Sequence, residues 1–540
     1  MKISNKIIVR ISVLLCTLFM QIPILSQGAG NNSFVFNGVD SRLYVLDNQP
    51  VNPTTANQNG FQYFNKTGST NKTISVQAWI YLIGDNANVK MPIIYRSVNP
   101  SGTSFSLYVE NNKGYFTVGN SAPVSTPKFP AFQWIQLTGI YDGTTLKIYF
   151  GKDLVQSSNV TLNNPYTTGV GLFVGKSDEG AFKGLIDEIR IFNTAIGENN
   201  INGSGGNGNP AENFPTSLSQ YSVGQWSFTE ISNNSYLADL SSSLNHLRVE
   251  NINQIFPSKN LPFFVVNSTL DDPDAFIGDG NAASSNGNVT LRSAIQEANY
   301  SSGTNIIYFY IPGSGPFNII PNSALPTIIN PVYLDGTTQS GYSGSPIVST
   351  NGAFGGLIIS SGNSTVQALS LNSTSDFGLT LSSLGGNNII SNQISGISIS
   401  STSNNVDGNT IASSVSDGIA FLTGGNNNLI GSFSSNNINN NSGYGISVAG
   451  SNGNQINENN ITSNSLGGVL FNNASSTLTT NSITGNSGPG ITFNNSTGVQ
   501  LNDNTVSSNS PGGILINNST VSLSENNRGF YRKAGICNRW

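Results

Sequence analysis

Two hydrophobic periods divide the chain. In residues 73–80, 104–109 and 134–140, apolar and polar side chains alternate at every second position, with turn-forming residues between the runs. Such alternation predicts short strands. Asp142-Gly143 separates Ile140-Tyr141 from the run 146–150 and predicts a hairpin. Trp79 and Trp134 sit inside apolar strands and are expected in the core. Helical periodicity is almost absent, so residues 31–202 read as a β-sandwich.

From Ile306 onward the period lengthens. Asn459-Asn460-Ile461-Thr462-Ser463-Asn464-Ser465 returns from Asn481 and again from Asn504, steps of 22 and 23 residues, and an earlier copy starts at Asn436, 23 residues upstream. Gly445-Ile446, Gly468-Val469, Gly490-Ile491 and Gly513-Ile514 follow the four copies. A fixed step of this length marks stacked units that share a core. Ile and Val at matched steps point inward. Asn at matched steps is expected at turns, where it tolerates left-handed backbone and stacks into amide ladders. The expected element is a right-handed parallel β-helix of about ten rungs, roughly 48 Å long. Asn392, Asn409 and Asn436 are spaced unevenly, by 17 and 27, which places insertions such as 424–428 in loops. One helix stands out over 290–299. Leu291, Ala294, Ile295 and Ala298 form its apolar stripe, and Thr290 is its expected cap. It is expected to cover the first rung, which otherwise exposes an open edge.

Composition adds the setting. Charged residues make up 9% of the chain, against about a quarter in typical globular proteins. The formal charge is −5, with no clustered Lys and Arg, which argues against a nucleic-acid partner. Residues 1–28 read as a secretory signal: Lys2, Lys6 and Arg10, an apolar run over 11–25, then Ser26-Gln27-Gly28. The run is short for a membrane span, and no later segment is apolar enough to cross as a helix. The expected location is secreted or cell surface, with no transmembrane span after signal removal. Removal takes the charge from −5 to −8 and leaves Cys537 as the one cysteine, without an internal disulfide.

Residues 34–41, the Ala78-Trp79 strand and Gly184-Leu185-Ile186-Asp187-Glu188-Ile189-Arg190-Ile191-Phe192-Asn193 occur in an order that resembles the laminin G-like module of the concanavalin A-like jelly-roll superfamily. The resemblance covers nearly all of 31–202. After a Gly- and Asn-rich linker, residues 223–230 and 237–241 resemble the opening strands of another such module, and the rest of it is missing. Residues 203–262 are therefore expected to be a linker with partial jelly-roll-like strands, packed on the first domain or bridging to the next. His246, the one histidine, is expected at the surface. Residues 291–299, 311–316, 325–328 and 334–338 resemble the opening of bacterial secreted β-helix proteins. Relatives often carry cysteines in the preceding Asp-rich loop and before the helix, and this chain has none there. The fold class expected is all-β, a jelly-roll β-sandwich followed by a right-handed parallel β-helix over 263–526 with one N-terminal capping helix.

The first resemblance implies binding of carbohydrate or protein at cell surfaces and a structural calcium. Hard Ca²⁺ takes six to eight oxygens, and Asp40 and Asp187 are the matching metal candidates. Asn37 and Ser41 stand where relatives often carry Asp, which weakens the match. The plainer reading has Asp187 and Glu188 facing solvent or pairing with Arg190. Asp271, Asp272, Asp274 and Asp279 lack EF-hand spacing and read as a solvated loop.

The solenoid offers little chemistry. Lyase action needs a basic group beside a uronate, and no Lys, Arg or His lies between Arg292 and Arg528. Hydrolysis needs paired carboxylates. Asp407 and Asp417 are close enough in sequence to share or neighbour a rung, while Glu458 and Asp503 lie two rungs apart, roughly 10 Å. Acids on solvated turns are the plainer expectation, and no residue is assigned a catalytic role. An outer-membrane barrel fits poorly, because aromatics are sparse after Tyr342. The tail 527–540 breaks the period and carries four positive charges; it reads as irregular, and suggests a truncated or frame-shifted version of a longer surface protein. The expected function is binding or adhesion to a surface glycan or extracellular protein, with the β-helix as spacer or extended surface. The alternative is a β-helix glycoside hydrolase.

Overall fold

The computed structural model describes residues 32–533, apart from 47–72, 87, 99–102, 161, 163–168, 202–215, 229–230, 233–235, 242–244, 253–254, 258–260, 262, 525 and 529–530. The expected signal at 1–28, Cys16 and Cys537 lie outside the described residues. The chain divides into two compact units, one ending at Leu261 and the other taking up Pro262 onward.

The first unit is a two-sheet sandwich. Its back sheet has Trp134–Tyr141, Ile74–Leu82 and Lys183–Phe192 at the centre, flanked by Thr145–Phe150 and Asp153–Asn159 on one side and by Asn32–Asn37 and Ile255–Pro257 on the other. The front sheet runs from Ile231–Ser232 through Tyr236–Leu237, Leu247–Glu250, Arg42–Leu46, Gly169–Val174, Met91–Val98, Thr103–Glu110 and Lys113–Val118 to Val124–Ser125. The inner faces meet closely. A Cβ at Gly139 would lie 2.2 Å from the Phe116 ring, so the back sheet needs glycine there. Gly139 pairs with Val76, which places Val76, Ala78 and Ile80 in the core and turns Gln77, Trp79 and Tyr81 to the opposite face.

Strands beyond residue 202 pack on the first domain, one of the two arrangements expected for them. Ser222–Trp226 pairs with Lys183–Phe192, Leu247–Glu250 with Arg42–Leu46, and Ile255–Pro257 with Asn32–Asn37. The stretch expected to be a linker with partial strands thus supplies strands to both sheets of the one sandwich. These strands are short and cover edges that the earlier strands leave unpaired.

The second unit is a solenoid of three parallel sheets with 11, 10 and 9 strands among the described residues. A single apolar core runs from Phe264 to Ile516. Helix α1 (Leu291–Tyr300) opens it, with the Thr290 side chain accepting the Ser293 N–H in a reciprocal cap. The expected stripe, Leu291, Ala294, Ile295 and Ala298, is buried. The Asp-rich loop is anchored rather than simply solvated: Asp271 holds Arg292 of α1 through two bonds of 3.0 and 2.9 Å, and buried Glu297 of α1 accepts the Gly278 and Gly280 N–H groups, each at 2.6 Å. The tail is also corrected in part, since Asn527–Arg528 and Tyr531–Lys533 continue two of the sheets. Residues 534–540 lie outside the described residues.

Buried asparagines line the corners. At one corner the backbone N–H of Asn392, Asn409, Asn436, Asn459, Asn481 and Asn504 each donates to the side-chain oxygen of the next asparagine in the series, ending on Asn526, at 2.9–3.4 Å. The uneven spacings of 17 and 27 leave this ladder unbroken. A second corner repeats the arrangement from Asn441 through Asn464 and Asn486 to Asn509. A third runs from Asn387 through Asn404 and Asn428 to Asn454, and serine hydroxyls at Ser496 and Ser519 serve its later rungs. The ladder asparagines are not the left-handed residues. That conformation falls on the residue just before: Glu458, Ser463, Thr480, Asp503 and Ser508 have φ of 55–59°. One residue makes the bend, and the next supplies the amide.

Asn459→Ala is expected to destabilise the solenoid by about 3 kcal/mol, because it strands the N–H and amide of Asn436 in a buried corner. Asn460→Ala, exposed on the same rung, should stay within about 0.5 kcal/mol. Denaturant titration of both variants checks the difference.

Candidate functional site

The expected metal ligands are not brought together. Asn32–Asn37 and Lys183–Phe192 are adjacent strands, with Phe34 opposite Ile186 and Asn37 opposite Lys183. This register carries Asp187 to the far end of the pairing from Asn37, about 13 Å along the strand. Asp40 lies in the turn after Asn37, where its carboxylate accepts from Asn37 Nδ2 at 2.7 Å and Asn251 Nδ2 at 3.1 Å. Asn37 Oδ1 accepts the N–H groups of Val39, Asp40 and Ser41 at 2.9–3.2 Å. The turn is thus closed by hydrogen bonds at the positions where Asp was expected in relatives. Asp187 is fully buried beside a bulge, and it accepts the Glu188 N–H at 2.7 Å. Glu188 makes the buried ion pair with Arg190, at 2.7 Å.

The outward face of the back sheet carries Gln77, Trp79, Tyr81, Trp134, Gln136, Thr138 and Arg190, all 7% exposed or less. The two tryptophans are buried as expected, but on the face away from the sandwich core. Arg190 donates to Gln77 Oε1 at 3.3 Å, and Gln77 donates to Thr138 at 3.1 Å. Ile196, Ile201 and Leu218 pack with Ile140, Tyr149 and Phe192 at one end of this face. Burial closes this face to a surface ligand.

The front sheet is different. The register aligns Tyr236, Arg248, Tyr44, Phe173, Tyr95, Ser106 and Thr117 as one row of cross-strand neighbours over seven strands. At about 4.8 Å per strand the row is roughly 29 Å long. Tyr44, Phe173 and Tyr95 are half-buried, and their rings stack at centroid distances of 6.3 and 5.2 Å. Arg42 lies 5.1 Å over the Tyr44 ring and is tied to Glu250 at 2.6 Å. Beside the row, Tyr108 and Tyr115 stack at 5.0 Å, with Lys90 4.5 Å over Tyr108 and bound to Glu179. Burial, with Asp178 nearby, pushes the Tyr95 phenol up to about 12, so its O–H remains a donor at neutral pH. His246 packs 5.6 Å from Tyr236 and accepts the Asp239 N–H at 3.0 Å. Burial lowers its pKa, so it serves there as a neutral acceptor. Sequence reasoning missed this face because its residues come from strands far apart in the chain. The alternating patterns over 42–46 and 113–118 are the signal that was present.

The solenoid acids do not form a pair. Asp407 ends one strand and Asp417 lies in the turn before another, with Thr410–Ala412 between them. Asp407 Oδ1 accepts the Phe433 N–H at 3.1 Å; its Oδ2 is buried without a partner, as is Asn405 Oδ1 two residues away. Burial raises the pKa of this carboxyl. Asp417 accepts the Tyr444 N–H at 2.7 Å and the Ser447 hydroxyl at 2.6 Å. Glu458 and Asp503 occupy left-handed corner positions.

Sequence comparison matches residues 55–202 to the Concanavalin A-like lectin/glucanases superfamily and residues 395–539 to the Right handed beta helix region. No curated protein matches the chain. Similar solved structures include a Bacteroides ovatus protein proposed to bind carbohydrate, at 12% identity and a TM-score of 0.30, covering 43% of this chain and 60% of that one. The heptameric SAP-like pentraxin of Limulus polyphemus shares 12% identity at a TM-score of 0.25, over 33% of this chain and 82% of its own. Domain 4 of the Geobacillus stearothermophilus arabinanase AbnA, solved with arabinotriose, shares 21% at a TM-score of 0.20, over 24% and 64%. The chain spans about 60% of the length of the Bacteroides protein. Fold and sequence agree: the chain carries a concanavalin A-like, laminin G-like jelly roll followed by a right-handed parallel β-helix.

Proposed function

We propose that this is a secreted or cell-surface binding protein whose front sheet engages a glycan or an extracellular protein, with the β-helix as its spacer. One observation carries the reading. The accessible groups suited to recognition, the half-exposed stacked rings of Tyr44, Phe173 and Tyr95 with Arg42 over the first, gather on the front sheet. Aromatic side chains present large rigid surface with a polar edge, which suits both sugars and proteins. The solenoid supports the spacer role. Its backbone groups are satisfied by sheet ladders and corner amides, it has no basic side chain between Arg292 and Arg528, and Asp407 and Asp417 accept backbone N–H groups. Calcium remains a separate proposal, and the turn at Asn37 is held without it by hydrogen bonds.

Phe173→Ala with Tyr95→Ala is expected to weaken ligand capture on a glycan array by at least about tenfold, the equivalent of 1.4 kcal/mol. Retained melting would show that the sandwich is intact, and capture equal to the parent protein's would sink the assignment of this face.

The role of Asp407 is checked separately. Its raised pKa means that the folded state holds the proton more tightly than the unfolded chain, so this stability is present in acid and lost as pH rises through the raised value. An asparagine there keeps the acceptor for Phe433 and brings an amide donor beside Asn405. Asp407→Asn is therefore expected to stabilise the solenoid at pH 7 by about 1 kcal/mol, with the gain shrinking toward pH 4. Denaturant midpoints at the two pH values measure it. Release of reducing sugar by the parent protein, abolished in Asp407→Asn, would instead favour the hydrolase alternative.

A further inference from the structure

Resting on the binding reading above, we infer that the ligand is an anionic glycan, a polymer bearing carboxylate or sulfate groups, and that Arg248 reads its charge. Arg248 is exposed in the front-sheet row, directly between Tyr44 and Tyr236 as cross-strand neighbours. The cations that lie over rings of this face are committed elsewhere, Arg42 to Glu250 and Lys90 to Glu179. Among the described residues Arg248 has no acidic or hydrogen-bonding partner. Glu250, the acid two positions along the same strand and on the same face, is held by Arg42 at 2.6 Å. A planar guanidinium left unpaired beside aromatic rings is suited to a bidentate carboxylate or sulfate, with the sugar body resting on the rings.

The shape of the row favours a glycan over a globular partner. Its accessible part is a single line of rings that runs from Tyr236 past Arg248 through Tyr44 and Phe173 to Tyr95, five strands and roughly 19 Å at about 4.8 Å per strand, before buried Ser106 interrupts it. That length accommodates several residues of an extended polysaccharide. The chain's formal charge of −5 opposes unspecific attraction of a polyanion, so capture of one requires a local cation that is not already neutralised.

The test uses the full chain with polygalacturonate, dextran sulfate and unmodified dextran in affinity electrophoresis. Retardation by a charged polymer, weakened at least about tenfold by Arg248→Gln and partly restored by Arg248→Lys, is the expected result. Preference between the two charged polymers identifies the anion. If the charged polymers bind equally well to Arg248→Gln, or only dextran binds, the inference falls while the front sheet remains a glycan-binding face. If none of the three polymers binds and a glycan array is also blank, the glycan-binding reading falls with it. An unchanged melting temperature of Arg248→Gln excludes misfolding as the cause of a loss, because the side chain is exposed and unpaired.

Discussion

At each corner of a parallel solenoid the chain leaves its sheet, and a backbone N–H turns inward with no strand beside it. Left unpaired, each such group costs about 1–3 kcal/mol, and the core of this solenoid repeats the situation at three corners per rung. The asparagine amide resolves it. Its oxygen takes the N–H of the rung before, as Asn459 does from Asn436, and its NH₂ donates to neighbouring carbonyls, those of Ile430 and Asn457 for Asn459. The narrow Ile and Val core and the regular stacking of the sheets presuppose that these corners are satisfied.

The sandwich meets a related demand at its edges. Its sheets are completed by strands contributed after residue 220, among them Leu247–Glu250, which brings Arg248 and Glu250 to the front face. The accessible row therefore combines residues more than 200 positions apart, from Tyr44 to Arg248. Edge completion and assembly of the front-sheet row are one structural event.

The two-part architecture was legible because both periods are strong: alternation in the sandwich, and 22 to 23 residues in the solenoid. Helix α1 was legible from its cap and stripe. The corner asparagines and their amide ladders were legible, but the left-handed bend was placed one residue late, since spacing alone does not distinguish the residue that bends from the residue that bonds. Glu458 and Asp503 are among the residues that bend, in keeping with the expectation of acids on turns. Residues 222–257 looked like a fragment because short edge strands carry too few alternating positions to announce their partners. Asp40 and Asp187 were matched through the family resemblance, whereas register, which a sequence does not display, separates them. The front-sheet row was hidden in the same way, as a set of cross-strand neighbours with no common motif.

The corner ladders have a further property. Every link runs in the same direction, from the N–H of one rung to the oxygen of the next, and in the ladder that ends on Asn526 every inner link is chemically the same. Along that corner a whole rung is an exchangeable part: inserting or deleting one reconnects the ladder to an identical partner. The near-identical repeats after residue 436 are the kind of sequence in which recombination adds or removes such units. The length of the solenoid can therefore change by whole rungs without that corner having to be redesigned.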